Sequence, residues 1–263
     1  MTTKVSKGQR GVDKQKAASE AKVSGGAKAL IYAVLIFLTI VFLGPILFIL
    51  LNSFKDRFAI STNPFALPVG ELWAGLSNYI TGVQGEGFGW AIVWSFVITI
   101  LSVVAIVFFS SMTAYYITRV KTWWTSALYY LFVFSMVIPF QMVMFPTVVI
   151  ADRLGLANPL GMVVLYMGFG AGLSVFMFSG FIKSIPLEIE EAATIDGCSP
   201  VSTFFRVVMP MLKPTAITVA ILNAMWIWND YLLPYLVVGL STPYRTIPVL
   251  SLIHISEPTR LGM

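Results

Sequence analysis

Three groups of polar residues interrupt a very apolar chain, and in each the residue types and spacing carry chemical meaning. Asn229 and Asp230 lie within Trp226-Ile227-Trp228-Asn229-Asp230-Tyr231-Leu232-Leu233-Pro234. An amide and a carboxylate there could bond hydroxyl groups while Trp228 and its neighbours stack on an apolar ring face. Asp230 could equally bond backbone freed by Pro234, or a neighbouring helix. Gln141 lies between Pro139 and Pro146, two prolines seven residues apart that imply a bent helix, and bent helices often line cavities. The third group is acidic: Glu188, Glu190, Glu191 and Asp196 crowd ahead of Gly197.

None of these groups makes a catalytic set. No Ser/His/Asp arrangement is present, and a single histidine, His254, cannot build a metal cluster. One cysteine, Cys198, excludes an internal disulfide framework. The nearest approach to a phosphate-binding loop, Gly180-Phe181-Ile182-Lys183-Ser184, lacks the required glycine spacing. The chain is therefore expected to hydrolyse no nucleotide itself and to carry no cofactor.

The acidic group has its own helical grammar. Ser184 is expected to cap a helix over 185–196, Pro186 to sit in its first turn, and the glutamates to favour its positive end. Such a helix is about 18 Å long and ends at Gly197. Ile185, Ile189 and Ala192 share one face with Ala193 beside it, a seat where the two alanines allow close approach. A second start is expected at Ser199-Pro200, and Pro210 and Pro214 break the chain beyond it.

The elements that position these residues follow from composition. Apolar residues make up 57% and charged residues 11%, with a mean hydropathy of +0.84. Soluble domains carry roughly 25% charged residues, so the chain is a polytopic all-α membrane protein. Uncharged runs long enough to cross a bilayer occur at 29–51, 90–117, 123–150, 159–182 and 214–240, the last interrupted by Asp230. A carboxylate at that depth costs about 3 kcal/mol unless it faces protein or water. Gly168 and Gly172 have the spacing of close helix packing.

Orientation follows from the basic residues. The tail 1–28 holds Lys4, Lys7, Arg10, Lys14, Lys16, Lys22 and Lys28, and is expected to be disordered. A cytoplasmic tail places Arg119, Lys121, Lys183, Arg206 and Lys213 inside as well, giving twelve Lys and Arg against five on the other side. Lys55, Arg57, Arg153, Arg245 and Arg260 are those five, so the N-terminus is expected in the cytoplasm. The net charge of +5 is topological and does not signal nucleic acid.

Glu191-Ala192-Ala193, three residues, Gly197, nine residues, then Val207-x-Met209-Pro210 resembles the EAA signature of ABC-importer permeases. It departs from that pattern by Val207 for Ile and Met209 for Leu. Without the distal match, a solvated acidic helix between two spans would be the plainer account. Further stretches in order resemble carbohydrate importers of the maltose-transporter type. They are Pro64-Phe65 with Asn78-Tyr79, Arg153 to Asn158, Pro186 to Glu191, the Trp228-Asn229-Asp230 run, and Arg245 to Pro248.

The resemblance implies a type I importer transmembrane domain over 29–250 in a bacterial inner membrane. It implies a heterodimer with a second permease, two cytoplasmic ATPase subunits that hold ATP and Mg, and an extracytoplasmic solute-binding protein. It places Glu190, Glu191, Ala192, Ala193, Asp196, Gly197 and Pro210 in a coupling loop, 183–213. Gln141, Trp228, Asn229 and Asp230 become candidates for a sugar path. The family has six spans where five are visible, so 251–263 reads as a truncated frame with a non-native end. The rival readings are an ABC permease for polyamine, phosphate or amino acid, a secondary transporter or channel, and a purely structural scaffold. No intramembrane Arg or Lys is available to hold phosphate.

Overall fold

The computed structural model describes residues 25–84, 87–239 and 242–256, so residues 1–24 of the basic tail and 257–263 of the expected non-native end lie outside it. Its described residues are mostly helical, and they form two compact units, one up to residue 82 and one from residue 83 on.

The first unit opens with α1, Gly25–Ser53. It takes in Gly25 to Lys28, so the last four residues of the tail expected to be disordered are helical. α1 is apolar all round, as membrane spans are. Beyond it the chain folds on itself through α2, Arg57–Thr62, a 3-10 turn at Gly70–Leu72, and α3, Ser77–Gln84. Lys55 is fully buried there. Its Nζ donates to Asn52 Oδ1 at 3.0 Å and to the carbonyls of Asn63 and Pro64 at 3.0 and 2.9 Å. Asn78 Nδ2 donates to the carbonyls of Ser53 and Lys55, and Trp73 stacks on Phe54 with centroids 5.4 Å apart. A lysine that the sequence offers only as one of the five basic residues opposite the tail is the knot of this loop.

The second unit is built on α4, Phe88–Arg119, and α7, Pro159–Ile182, which pack along their length. Asn158 Oδ1 accepts from the N–H of Gly161 and starts α7. Ile98, Ile106, Ala114, Met162, Tyr166, Val175 and Phe178 form the seam. A Cβ on Gly170 would sit 2.6 Å from Ile106 Cδ1, and one on Gly172 would sit 2.6 Å from Ser135 Oγ. Gly168 faces open space, so Gly170 and Gly172 are the close-packing pair, not Gly168 and Gly172.

Two of the expected spans are broken. Run 123–150 is α5, Trp123–Ser135, and α6, Phe140–Arg153, bent by 107°. The break falls at 136–139, ahead of Pro139, while Pro146 is accommodated inside α6. Run 214–240 is α10, Lys213–Asn229, and α11, Leu232–Val237, separated at Asp230, whose extended backbone ends the ladder. α10 packs on α4 and α7, α5 on α7, and α11 on α6. The last helix, here α12, Ile247–Ser256, packs on α4, with the Ile247 N–H donating to Ser95 Oγ.

Candidate functional site

The loop between α7 and α10 is shaped by its punctuation. α8 spans Leu187–Ile195, shorter than the expected 185–196. Ser184 does not cap it: the hydroxyl donates back to the Phe181 carbonyl at 2.6 Å, and Pro186 holds the N-cap position with no side-chain bond. The far end stops at Gly197, whose φ of +85° is left-handed. Cys198 N–H donates to the Ala193 carbonyl and Gly197 N–H to that of Thr194, the paired bonds of a Schellman motif. Ser199 then caps α9, Pro200–Thr203, through the Ser202 N–H. The chain continues through a π turn, Phe204–Val208, and Met209–Met211, and turns 75° into α10. Phe204, Val208 and Leu212 are buried, and the Phe204 ring packs 5.1 Å from that of Tyr115.

α8 is tied to the end of α4 by one side chain. Glu190 is 7% exposed. Its Oε1 accepts from Arg119 Nε and Nη2 at 2.8 and 2.6 Å, and its Oε2 accepts from the Tyr115 hydroxyl at 2.8 Å. Arg119 Nη2 also donates to the Ile185 carbonyl at 3.1 Å. A forked guanidinium, a phenol and a carboxylate thereby satisfy one another where little water reaches.

Glu190 turns the helix by this demand. Ala193, one turn on, is buried with it, whereas Glu188, Glu191, Ala192 and Ile195 line the opposite, exposed face. The expected seat of Ile185, Ile189 and Ala192 with Ala193 is thus split. Ile185 and Ala193 face inward, while Ile189 and Ala192 are exposed. Ile195 is 86% exposed, an unusual position for isoleucine. Glu191, Ile195 and Pro200 border a cleft of about 520 Å³ between α8 and α9. Asp196 and Pro210 are exposed, on the two sides of that turn.

The polar residues of the broken helix form a second constellation. Asp230 Oδ2 accepts from the Tyr166 hydroxyl on α7 at 3.0 Å, and its Oδ1 accepts from the Leu232 N–H at 3.0 Å. Asp230 therefore starts α11 and ties the break to a neighbouring helix. Asn229 is exposed and its Nδ2 donates to the Met225 carbonyl. Trp228 packs edge-on against Phe96, with centroids 4.8 Å apart. Gln141 is exposed in the first turn of α6, the helix against which α11 packs.

The partners Arg119, Tyr115 and Tyr166 do not stand out in the sequence. Tyr115 and Arg119 are four apart at the end of an apolar run, hence on one face of α4, and that spacing was the available signal. Asn223 likewise carries no signal in the sequence. It is buried, and donates to Ser174 Oγ at 3.2 Å and to the Val219 carbonyl.

Comparison with known proteins sets these sites in a family. Residues 106–249 match the family described as binding-protein-dependent transport system inner membrane component. The chain is 40% identical over 231 residues to a probable starch degradation products transport system permease protein of Thermoanaerobacterium thermosulfurigenes, covering 87% of this chain and 83% of that one. It is 35% identical over 213 residues to a multiple sugar-binding transport system permease protein of Streptococcus mutans serotype c, covering 80% and 76%. Its fold is similar to a bacterial ABC transporter involved in the import of the acidic polysaccharide alginate. That match has a TM-score of 0.70 at 20% identity, covering 97% of this chain and 82% of the other.

Proposed function

This chain belongs to the family of binding-protein-dependent transport system inner membrane components, and from that premise we propose that it forms half the translocation path of an ATP-driven sugar importer. It is a transport subunit, not an enzyme. ATP and Mg belong to a separate pair of cytoplasmic ATPase subunits, a second permease completes the path, and an extracytoplasmic binding protein delivers the sugar. The N-terminus lies in the cytoplasm of a bacterial cell, on the side of the 183–213 loop.

The observation that carries this reading is the way α8 is held. An ATPase that closes on ATP needs something short and firmly seated to push. The Arg119–Glu190–Tyr115 cluster fastens α8 to α4, and α4 packs on α7, α10 and α12. The exposed face of Glu191, Ala192 and Ile195, with Asp196, Gly197 and Pro210 fixing the turns beyond, is what the ATPase would meet. Displacing α8 would then move the end of the central helix rather than bend a slack loop. ATP closure opens the path outward, and hydrolysis resets it.

Exposed Asn229 and Gln141, with the indole of Trp228, supply amide and aromatic groups suited to sugar hydroxyls and ring faces. Asp230 serves that path by holding the break open-ended, through Tyr166 and Leu232. The names of the two curated relatives, for starch degradation products and for multiple sugars, support a carbohydrate cargo.

The test is a pull-down of tagged chain from native membranes in mild detergent, with mass spectrometry of what accompanies it. A second permease and an ATPase in fixed ratio are expected. Recovery of neither, from chain that remains folded, would overturn the proposal.

A further inference from the structure

A cleft of about 250 Å³ opens where the end of α4, the start of α5 and the end of α7 meet. It lies at the same end of the helices as the 183–213 loop. Thr118, Lys121, Ser126, Tyr129, Ser179 and Lys183 supply its polar lining. Two ammonium groups face it and no carboxylate does. Among the described residues the one ion pair is Arg119–Glu190, so neither lysine is neutralised by the protein. Lys183 Nζ rests 5.0 Å from the Tyr129 ring centroid, a cation–π contact that holds the charge in place without cancelling it.

The hydroxyls point the same way. Ser179 is fully buried, and neither its Oγ nor the buried Oγ1 of Thr118 has a hydrogen-bond partner in the protein. Buried donors without acceptors are uncommon and call for an explanation. An anion with several acceptor oxygens in the cleft would offer acceptors to both hydroxyls and both lysines. Just beyond the cleft, Trp123 and Trp124 are exposed and stacked with centroids 4.1 Å apart, at the start of α5. Indoles of this kind belong at the headgroup layer of a bilayer.

We infer that this cleft binds a phosphate group, and that its place beside an interfacial tryptophan pair suits the phosphate of an anionic phospholipid. This goes beyond the transport reading and takes from it only the leaflet, the cytoplasmic one. Basic pockets between helices on that side are where anionic headgroups are held. A lipid bound there would touch α4, α5 and α7 at once, next to the helix end that carries Arg119.

The experiment uses the full chain purified in detergent, titrated with phosphatidylglycerol and, separately, phosphatidylcholine, with bound lipid counted by native mass spectrometry. Phosphatidylcholine carries the same phosphate, but its choline is repelled by the lysines. Phosphatidylglycerol is expected to be retained preferentially. Lys121→Gln and Lys183→Gln are each expected to weaken it about fivefold, and both together about 25-fold. Ser179→Ala, which removes a hydroxyl without adding bulk, weakens it as well. Lys213→Gln, an exposed lysine outside the cleft, leaves retention unchanged and controls for general charge.

A second arm adds inorganic phosphate. Failure to displace the lipid identifies a headgroup site, whereas displacement that the double variant abolishes identifies a site for free phosphate. Undiminished retention of phosphatidylglycerol by the folded double variant, together with no phosphate effect, would overturn the inference. ATPase recovery in the pull-down is independent of this result, so the two proposals fail separately.

Discussion

The loop after α1 and the 183–213 loop each bury one charged side chain, yet they use it in opposite ways. Lys55 bonds acceptors three to nine residues away, one at the end of α1 and two in the loop itself, and meets no carboxylate. Glu190 bonds Arg119 and Tyr115, 71 and 75 residues away, across two helices. The first is a local knot that gives a loop its shape. The second is a rivet between elements, and only a rivet can carry displacement from a surface helix to the core. The sequence distance that each buried charge spans is what separates a loop tied to itself from a helix tied to the core.

The largest expected effect comes from pulling the rivet. Arg119→Ala leaves the Glu190 carboxylate buried with only Tyr115, and removing one partner of a buried pair costs about 3–5 kcal/mol. A thermal melt of the purified complex should show it. Arg119→Met with Glu190→Met should regain much of that stability, because no uncompensated charge remains, while transport stays impaired. Full transport by the double variant would remove the mechanical role.

Next comes Lys55→Met, which strands Asn52 Oδ1 and two carbonyls and should cost about 2 kcal/mol. The damage should stay local: faster proteolysis between Asp56 and Trp73, with ATPase recovery unchanged. Loss of ATPase recovery would erase the contrast between the two loops. Gly197→Ala forces a left-handed alanine at the end of α8 and should cost about 1–2 kcal/mol, read as a lower melting temperature.

Asp230→Asn is expected to be mildest. It keeps an acceptor for the Leu232 N–H, and its amide can donate to the Tyr166 hydroxyl oxygen in place of the bond lost, so the loss should be about 1 kcal/mol or less. Normal uptake at matched protein level would exclude any role that needs the charge. Abolished uptake with unchanged stability would make Asp230 part of the path itself.

Much of the 183–213 loop is legible in the sequence because its punctuation is local. Gly197 stands where a positive φ ends a helix, and Ser199-Pro200 is a start that two adjacent residues declare. A bend in run 123–150 is legible from Pro139 and Pro146, and Asp230 stands out in run 214–240, but summed hydropathy does not show that the hydrogen-bond ladder is cut at either place. The inward turn of Glu190 could not be read from α8 alone. Its partner is 71 residues away, and pairs at that distance leave no periodicity. The same holds for Asp230 and Tyr166, whose bond spans 64 residues.

The central claim is that α8 is pinned on one face by Glu190 and presents the other to an ATPase. Ala192→Trp tests it most directly, because Ala192 is exposed and lies apart from the Arg119–Glu190–Tyr115 cluster. The measurement is ATPase recovered per tagged chain, beside the melting temperature of the chain. Recovery is expected to collapse while the melting temperature holds. Undiminished recovery with the bulky indole in place would contradict it.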